Sequence, residues 1–166
     1  MVSKNELMLF LHRSRENRGM MASLRCLLKD SQRFRGWQCI AHLGGIGCIE
    51  VETVAGLYAL HPMEKEDESY NFGDACRVLA ASRRTTKETT DSPFDKRFRR
   101  LLSCSAKAEL CAHLSDIVRG MKAADVPVNY ESLFDDLAKW GDFVRERWAI
   151  HYWSDRKEND DVSDGN

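Results

Sequence analysis

Helical spacing of apolar residues runs along most of this chain, and neighbouring runs of β-branched residues that could pair into a sheet are absent. Met20, Met21, Leu24, Leu27 and Leu28 follow the i, i+3, i+4, i+7 spacing that places apolar side chains on one face of an α-helix. The same spacing recurs in most other segments. The sequence therefore predicts an all-α fold, a compact bundle of about eight to nine helices with short loops.

Several polar residues are suited to begin these helices. Ser92 followed by Pro93 combines a hydroxyl cap with a proline at the first helical position. Asn71 and Asn129 can cap the helices that follow them, and Ser105 can cap one more. These signals divide the chain from Asn71 onward into separate helices.

The length of 166 residues suits one compact domain. We expect a single helical domain over residues 1–153 and an acidic, disordered tail over residues 154–166. No apolar stretch approaches the roughly 20 residues needed to cross a bilayer, and the first residues do not resemble a signal peptide. The chain is therefore expected to be cytoplasmic and to have no membrane partner.

The six cysteines and five histidines form no recognised metal or catalytic motif. No C-x-x-C pair and no H-x-x-x-H pair is present, so the common zinc signatures are missing. The sequence also lacks a G-x-S-x-G elbow. We therefore expect reduced, packed thiols, no bound metal, no cofactor and no enzymatic activity.

Charge is balanced over the whole chain but not locally. The net charge is −1, yet Arg13–Arg35 holds seven basic against two acidic residues, and Asp95–Lys122 holds seven against three. The compensating acids collect in Glu64–Glu68 and in the tail, and neither stretch has apolar periodicity. We expect a mobile loop over residues 63–69 and a second over 84–91. A basic helical body with separate acidic segments is typical of a protein that binds a polyanion.

The second basic region predicts one helix that is apolar inside and cationic outside. Phe98, Leu101 and Leu102 take the inner face, so the cations between them must lie on the outer faces. Arginine can grip phosphate oxygens through two parallel hydrogen bonds without contacting a base. No segment has the pattern of a helix-turn-helix recognition helix, so contacts to the nucleic-acid backbone are expected rather than contacts to bases.

An ordered set of short motifs resembles the small subunit of the type I-E CRISPR Cascade complex, the CasB-type family. The similarity extends over about Leu7 to Trp153, nearly the whole chain. The motifs that carry it are Arg18–Arg25, Gly36-Trp37, Asn71–Gly73, Ser92–Leu102, Tyr130–Trp140 and Val144–Trp148.

The resemblance implies a non-catalytic subunit of an RNA-guided surveillance particle in antiviral defence. Its expected partners are guide RNA, target DNA, other Cascade subunits and a second copy of itself. In this family a basic surface lies against the guide–target hybrid and the displaced DNA strand, and helps to hold the R-loop open. Modest contacts suffice, because replacing the DNA duplex with the RNA–DNA hybrid is nearly balanced in free energy. Carried onto this sequence, the role falls on Arg25, Lys96, Arg97, Arg99, Arg100, Arg119, Lys122, Arg145 and Arg147.

Two other classes of protein remain as alternatives. A free-standing helical DNA-binding regulator would need a dimer interface and a symmetric operator, which footprinting of the purified protein would reveal. A metal-independent ribonuclease could be built from His42, His61 or His113. Clean cleavage of guide RNA, abolished by one histidine substitution, would favour the ribonuclease.

Overall fold

The computed structural model of the chain describes residues 2–84 and 92–163, with side chains as far as Ser154. Within these ranges the chain forms nine α-helices and no strand, which confirms the predicted all-α bundle. Short 3-10 turns occupy Cys26–Leu28, Asp30–Gln32 and Ala41–Leu43. The helices are α1 Lys4–Ser14, α2 Arg18–Arg25, α3 Phe34–Ile40, α4 Ile49–Leu60, α5 Phe72–Arg83, α6 Pro93–Leu102, α7 Lys107–Ala123, α8 Tyr130–Ala138 and α9 Asp142–Ser163.

Helix α4 is the central element of the bundle. Every residue from Val51 to Ala59 is buried, because α1, α2, α7 and α8 pack around this helix. The one carboxylate in this stretch, Glu52, accepts hydrogen bonds from Arg33 Nε (2.8 Å), Trp37 Nε1 (3.1 Å) and the Gly47 backbone N–H (2.9 Å). These donors satisfy a charge that would otherwise be costly to bury.

Among the described helices, α5 and α9 share the most extensive contact. Gly73 makes the approach possible, because a Cβ added there would lie 2.3 Å from the Trp148 carbonyl oxygen. One turn along, His151 Nδ1 lies 2.6 Å from Asp74 Oδ2. Tyr152 then donates its hydroxyl to Asp95 of α6 over 2.6 Å. Helix α9 thus fixes the position of α6, the helix with the densest run of cations.

Three of the predicted helix caps are confirmed. The side chains of Asn71, Ser92 and Asn129 each accept a hydrogen bond from a backbone N–H three residues later. The predicted Ser105 cap is wrong: Ala106 precedes the first residue of α7, and no side chain caps that end. The first turn of α7 therefore lacks the stabilisation that a serine at that position would add.

The acidic loop between α4 and α5 is held in place, contrary to the expectation of a mobile segment. Val128 N–H donates to the Met63 carbonyl (3.0 Å), and Lys65 N–H donates to the Val128 carbonyl (3.1 Å). Asn129 Nδ2 also donates to the Asp67 carbonyl over 2.9 Å. The acidic run lacks the apolar spacing of a helix, so the sequence predicted a loop. The sequence could not show which backbone groups this loop would bind.

The second segment expected to be mobile, apart from Arg84, lies outside the described residues. The proposed boundary between a domain over 1–153 and a tail over 154–166 stays a prediction; the backbone of α9 continues as far as Ser163. Within the described part of the chain, no helix combines the length and the apolar character that a membrane span requires.

All six cysteines are free, as the sequence predicted. Cys39, Cys76 and Cys104 are buried, and the other three are half-buried. Burial raises the pKa of the Cys76 thiol well above its ordinary value. This thiol therefore behaves as a small apolar side chain.

Candidate nucleic-acid interface

Helix α6 presents cations to solvent on its outer side. Its inner side is fixed by Phe94, Phe98 and Leu101, which are buried in the bundle. Lys96 and Arg100 lie one turn apart on the outer face, and both are exposed. A capping box at its start, in which Ser92 N–H donates to Asp95 Oδ2 over 2.9 Å, sets the rotation of the helix.

Arg97 lies on the flank of α6 and shares a pocket of about 230 Å³ with Arg83, the last residue of α5. The Arg83 guanidinium lies 6.0 Å from the centre of the Phe94 ring. It also packs on α7, because its Nη2 would lie 2.5 Å from a Cβ added at Gly120. Arg83 thus connects three helices, and the sequence analysis missed it because it lies outside both basic regions.

We call Arg83, Lys96, Arg97 and Arg100 the α6 surface. All four are exposed, and within residues 2–84 and 92–154 none of them makes an ion pair. Arg99 is exposed on the same helix and is already engaged within the chain. The α6 surface therefore concentrates positive charge that the described side chains leave uncompensated.

Two further predicted site residues lie on α7. Lys122 is exposed. Arg119 is also exposed, and it pairs with Asp116 one turn earlier on the same helix, at 3.1 Å from Nη1 to Oδ1. An exposed pair of this kind is weak and can exchange partners. Arg119 precedes Gly120, on which Arg83 packs, so the two arginines meet neighbouring positions of α7.

Arg145 is turned into the protein. Its guanidinium donates to Asp142 Oδ1 over 3.1 Å and to the Cys104 carbonyl oxygen over 2.6 Å. It also lies 5.4 Å from the centre of the Trp140 ring. These contacts give Arg145 a structural role at the junction of α6, α8 and α9.

Arg147 has an internal partner as well. It donates to Asp136, whose carboxylate is 2% exposed and also accepts from Trp148 Nε1 over 2.7 Å. Burial raises the pKa of Asp136, although Trp148 and Arg147 both oppose the shift. Contacts of Arg145 and Arg147 with nucleic acid stay predictions, and the structure does not bring either into the α6 surface.

Arg25 is set apart from the other predicted site residues. It is exposed at the end of α2, a helix that packs on α3 and α4, and it donates to the Ala59 carbonyl oxygen over 3.2 Å. Lys29, four residues later in the same basic region, is also exposed. Within the described residues, the extensive helix contacts of α2 are with α3 and α4, and none of them is with α5, α6 or α7.

The histidines of the ribonuclease alternative lie in separate places. His61 is buried, with Nε2 at 2.7 Å from the Val126 carbonyl oxygen. His42 packs edge-on against Phe10, with ring centres 5.1 Å apart. His113 lies on α7. No described contact joins any two of these three rings.

A groove of about 580 Å³ between α8, α9 and the acidic loop has the opposite electrostatic character. Six carboxylates line it against three cations. Phosphate groups would be repelled here. The groove therefore provides a surface on which to place control substitutions, such as Lys139→Ala.

Comparison with known proteins places these features in context. The family model for CRISPR-associated protein Cse2 matches residues 49–153, which is more than half of the chain. The match includes all of α4 to α8 and the whole α6 surface. A search of curated proteins finds no match.

Two crystal structures share the fold. CasB from Thermus thermophilus aligns with a TM-score of 0.68 at 20% identity, covering 93% of this chain and 99% of that one. CasB from M. ruber aligns with a TM-score of 0.71 at 19% identity, covering 98% of this chain and 99% of that one. The likeness extends over nearly the full length, including α1 to α3.

Proposed function

The chain belongs to the family of CRISPR-associated protein Cse2, which confirms the resemblance to the small subunit of type I-E Cascade, and from this premise we propose that its α6 surface holds nucleic-acid backbone in the complex. The chain is a Cascade subunit. Its proposed task is to stabilise the R-loop by attracting the guide–target hybrid or the displaced strand. It does so without catalysis and without reading sequence.

The observation that carries the proposal is the α6 surface, whose four exposed cations make no ion pair within the described residues. Phosphate oxygens lie along a nucleic-acid strand at regular intervals, and cations on one helix face and its flank can contact several of them. Guide pairing selects the target, so the subunit needs only sequence-independent attraction. Contacts with other Cascade subunits and with a second copy of the chain belong to the same proposal.

Retention of target DNA by Cascade assembled with variant chains tests the proposal. We expect Lys96→Ala with Arg97→Ala to weaken retention of two unrelated target duplexes by similar factors. The control is Lys65→Ala with Lys139→Ala, which removes the same charge near the acidic groove. A loss that depends strongly on the target sequence, or an equal loss in the control, would overturn the proposal.

A further inference from the structure

Three potential metal ligands meet at the corner between α6 and α7. Cys104 lies in the turn between the two helices, and Glu109 and His113 lie one helical turn apart on α7. The Cys104 Sγ, one Glu109 carboxylate oxygen and one His113 ring nitrogen all lie within 4.8 Å of one another. The cysteine is buried, the histidine half-buried and the glutamate exposed, so the group is open to solvent on one side.

The backbone that carries Cys104 is held from two directions. Its carbonyl oxygen accepts hydrogen bonds from Trp140 Nε1 (2.8 Å) and from Arg145 Nη2 (2.6 Å), and its N–H donates to the Leu101 carbonyl. These bonds fix the backbone from which the thiol projects, which limits the positions that the sulfur can take. Hydrogen bonds that orient a ligand raise metal affinity in protein sites.

The remaining bonding capacity of the three side chains is unused. Within the described residues, Glu109 and His113 make no side-chain hydrogen bond or ion pair, and the Cys104 thiol donates only to the Arg100 carbonyl at 3.4 Å. A second cluster of His12, Glu64 and Glu66 differs in this respect. There, His12 already binds Glu64 at 2.9 Å, so an ion pair accounts for the grouping.

We propose that Cys104, Glu109 and His113 bind a zinc ion, with water as the fourth ligand. Thiolate, imidazole and carboxylate are the ligand types that zinc takes in proteins, and a thiolate disfavours magnesium and calcium. The thiol proton passes to solvent, and the two anionic ligands then neutralise the ion. The ion would brace the α6–α7 corner beside the α6 surface.

Zinc binding requires the three ligand atoms to move slightly closer together. Zinc bonds of 2.0 to 2.3 Å place tetrahedral ligand atoms roughly 3.5 Å apart, so atoms that now lie up to 4.8 Å apart must approach one another by at most about 1.3 Å. Rotation of the exposed Glu109 side chain and of the His113 ring can supply this movement.

Titration of the metal-stripped full chain with cobalt(II), followed by displacement with zinc, tests the site. We expect one cobalt ion per chain, visible d–d bands and a thiolate-to-cobalt charge-transfer band. Cys104→Ser should abolish the charge-transfer band. His113→Ala and Glu109→Gln should each weaken cobalt binding by more than about tenfold.

The control is Cys111→Ser, which removes a thiol on α7 that lies outside the cluster and should leave the titration unchanged. Circular dichroism of each metal-free variant checks folding. Where Cys104→Ser does not fold, His113→Ala and Glu109→Gln decide the outcome, because their side chains reach solvent. No charge-transfer band at millimolar cobalt, or a band that survives Cys104→Ser, would overturn the site.

Discussion

Arg147 donates to the buried carboxylate of Asp136, and this contact gives one of the predicted nucleic-acid residues a place in the interior network. Asp136 has a second donor in Trp148. Helix α8 and helix α9 are thereby joined through a single carboxylate. This contact shows that Arg147 binds a carboxylate of its own chain. The sequence alone cannot distinguish that role from binding a phosphate.

Arg147→Ala should therefore lower the free energy of unfolding by about 2 kcal/mol, because Asp136 loses one of its two donors while remaining buried. Urea unfolding of the purified chain measures this. Arg100→Ala, which removes an exposed cation without a described partner, should change stability by less than about 0.5 kcal/mol. An unchanged unfolding curve for Arg147→Ala, together with lost DNA retention, would instead make it a nucleic-acid contact.

Arg100→Ala should alter the salt dependence of DNA binding. Each phosphate contact that is lost reduces the slope of log affinity against log salt by about 0.9. Measurements of target affinity over a range of salt concentrations give this slope for assembled Cascade. Arg100→Lys keeps the charge and should keep the slope, so a reduced slope in that variant would point to a role other than charge.

Arg83 and Arg97 line one pocket, so we expect them to contact the same stretch of backbone. Each single alanine variant should weaken target retention, and the double variant should lose less than the sum of the two free-energy changes. A double-mutant cycle on assembled Cascade measures this coupling. Strict additivity would show that the two guanidinium groups contact separate places.

Gly73→Ala should destabilise the chain by about 2 kcal/mol, because the new methyl group meets the Trp148 backbone and forces α5 and α9 apart. Thermal or urea unfolding reports the loss. Gly19→Ala is the matched control, since the nearest atom to a Cβ there is Asn17 Oδ1 at 3.6 Å. We expect that variant to be neutral or slightly stabilised, and a similar loss in both would contradict the packing argument.

Glu50 should contribute stability that is lost in acid. Burial opposes ionisation, but the Lys107 ammonium and local hydrogen bonds outweigh it and hold the pKa of Glu50 below its ordinary value of 4.5. A lowered pKa in the folded chain means that this stability is present above the unfolded pKa and disappears as the pH falls through the folded pKa.

The test compares the wild-type chain with Glu50→Gln by urea unfolding. The difference in unfolding free energy should be about 1 kcal/mol near neutral pH and should fall toward zero as the pH drops below the unfolded pKa and through the lowered folded pKa. Other carboxylates titrate in both proteins, so only the difference is informative. A difference that is independent of pH would show that the ion pair with Lys107 contributes nothing.

Local sequence signals predicted the helices and their polar starts well, because spacing and caps act within a few residues. The roles of the cations were harder to predict. Arg145 and Arg97 are the same residue type in similar amphipathic patterns, yet one binds the Cys104 carbonyl and the other lines an open pocket. Which of these two roles an arginine takes depends on groups that are close to it in space but can lie at any distance along the sequence.

The proposed zinc ligands show the same limit. Cys104 and His113 are nine positions apart, a spacing that no common zinc signature contains. The turn before α7 folds back and brings the thiol beside a ring on the second turn of the helix. Only the path of the backbone makes them neighbours.

The fixed acidic loop also limits how the chain could regulate itself. A run of carboxylates on a free tether could imitate a nucleic-acid strand and occupy the chain's own arginines. Here Met63, Lys65 and Asp67 are bound through their backbones to Val128 and Asn129. These contacts hold the segment against the bundle, so a competitor for those arginines would have to be another acidic stretch of the chain or a separate polyanion.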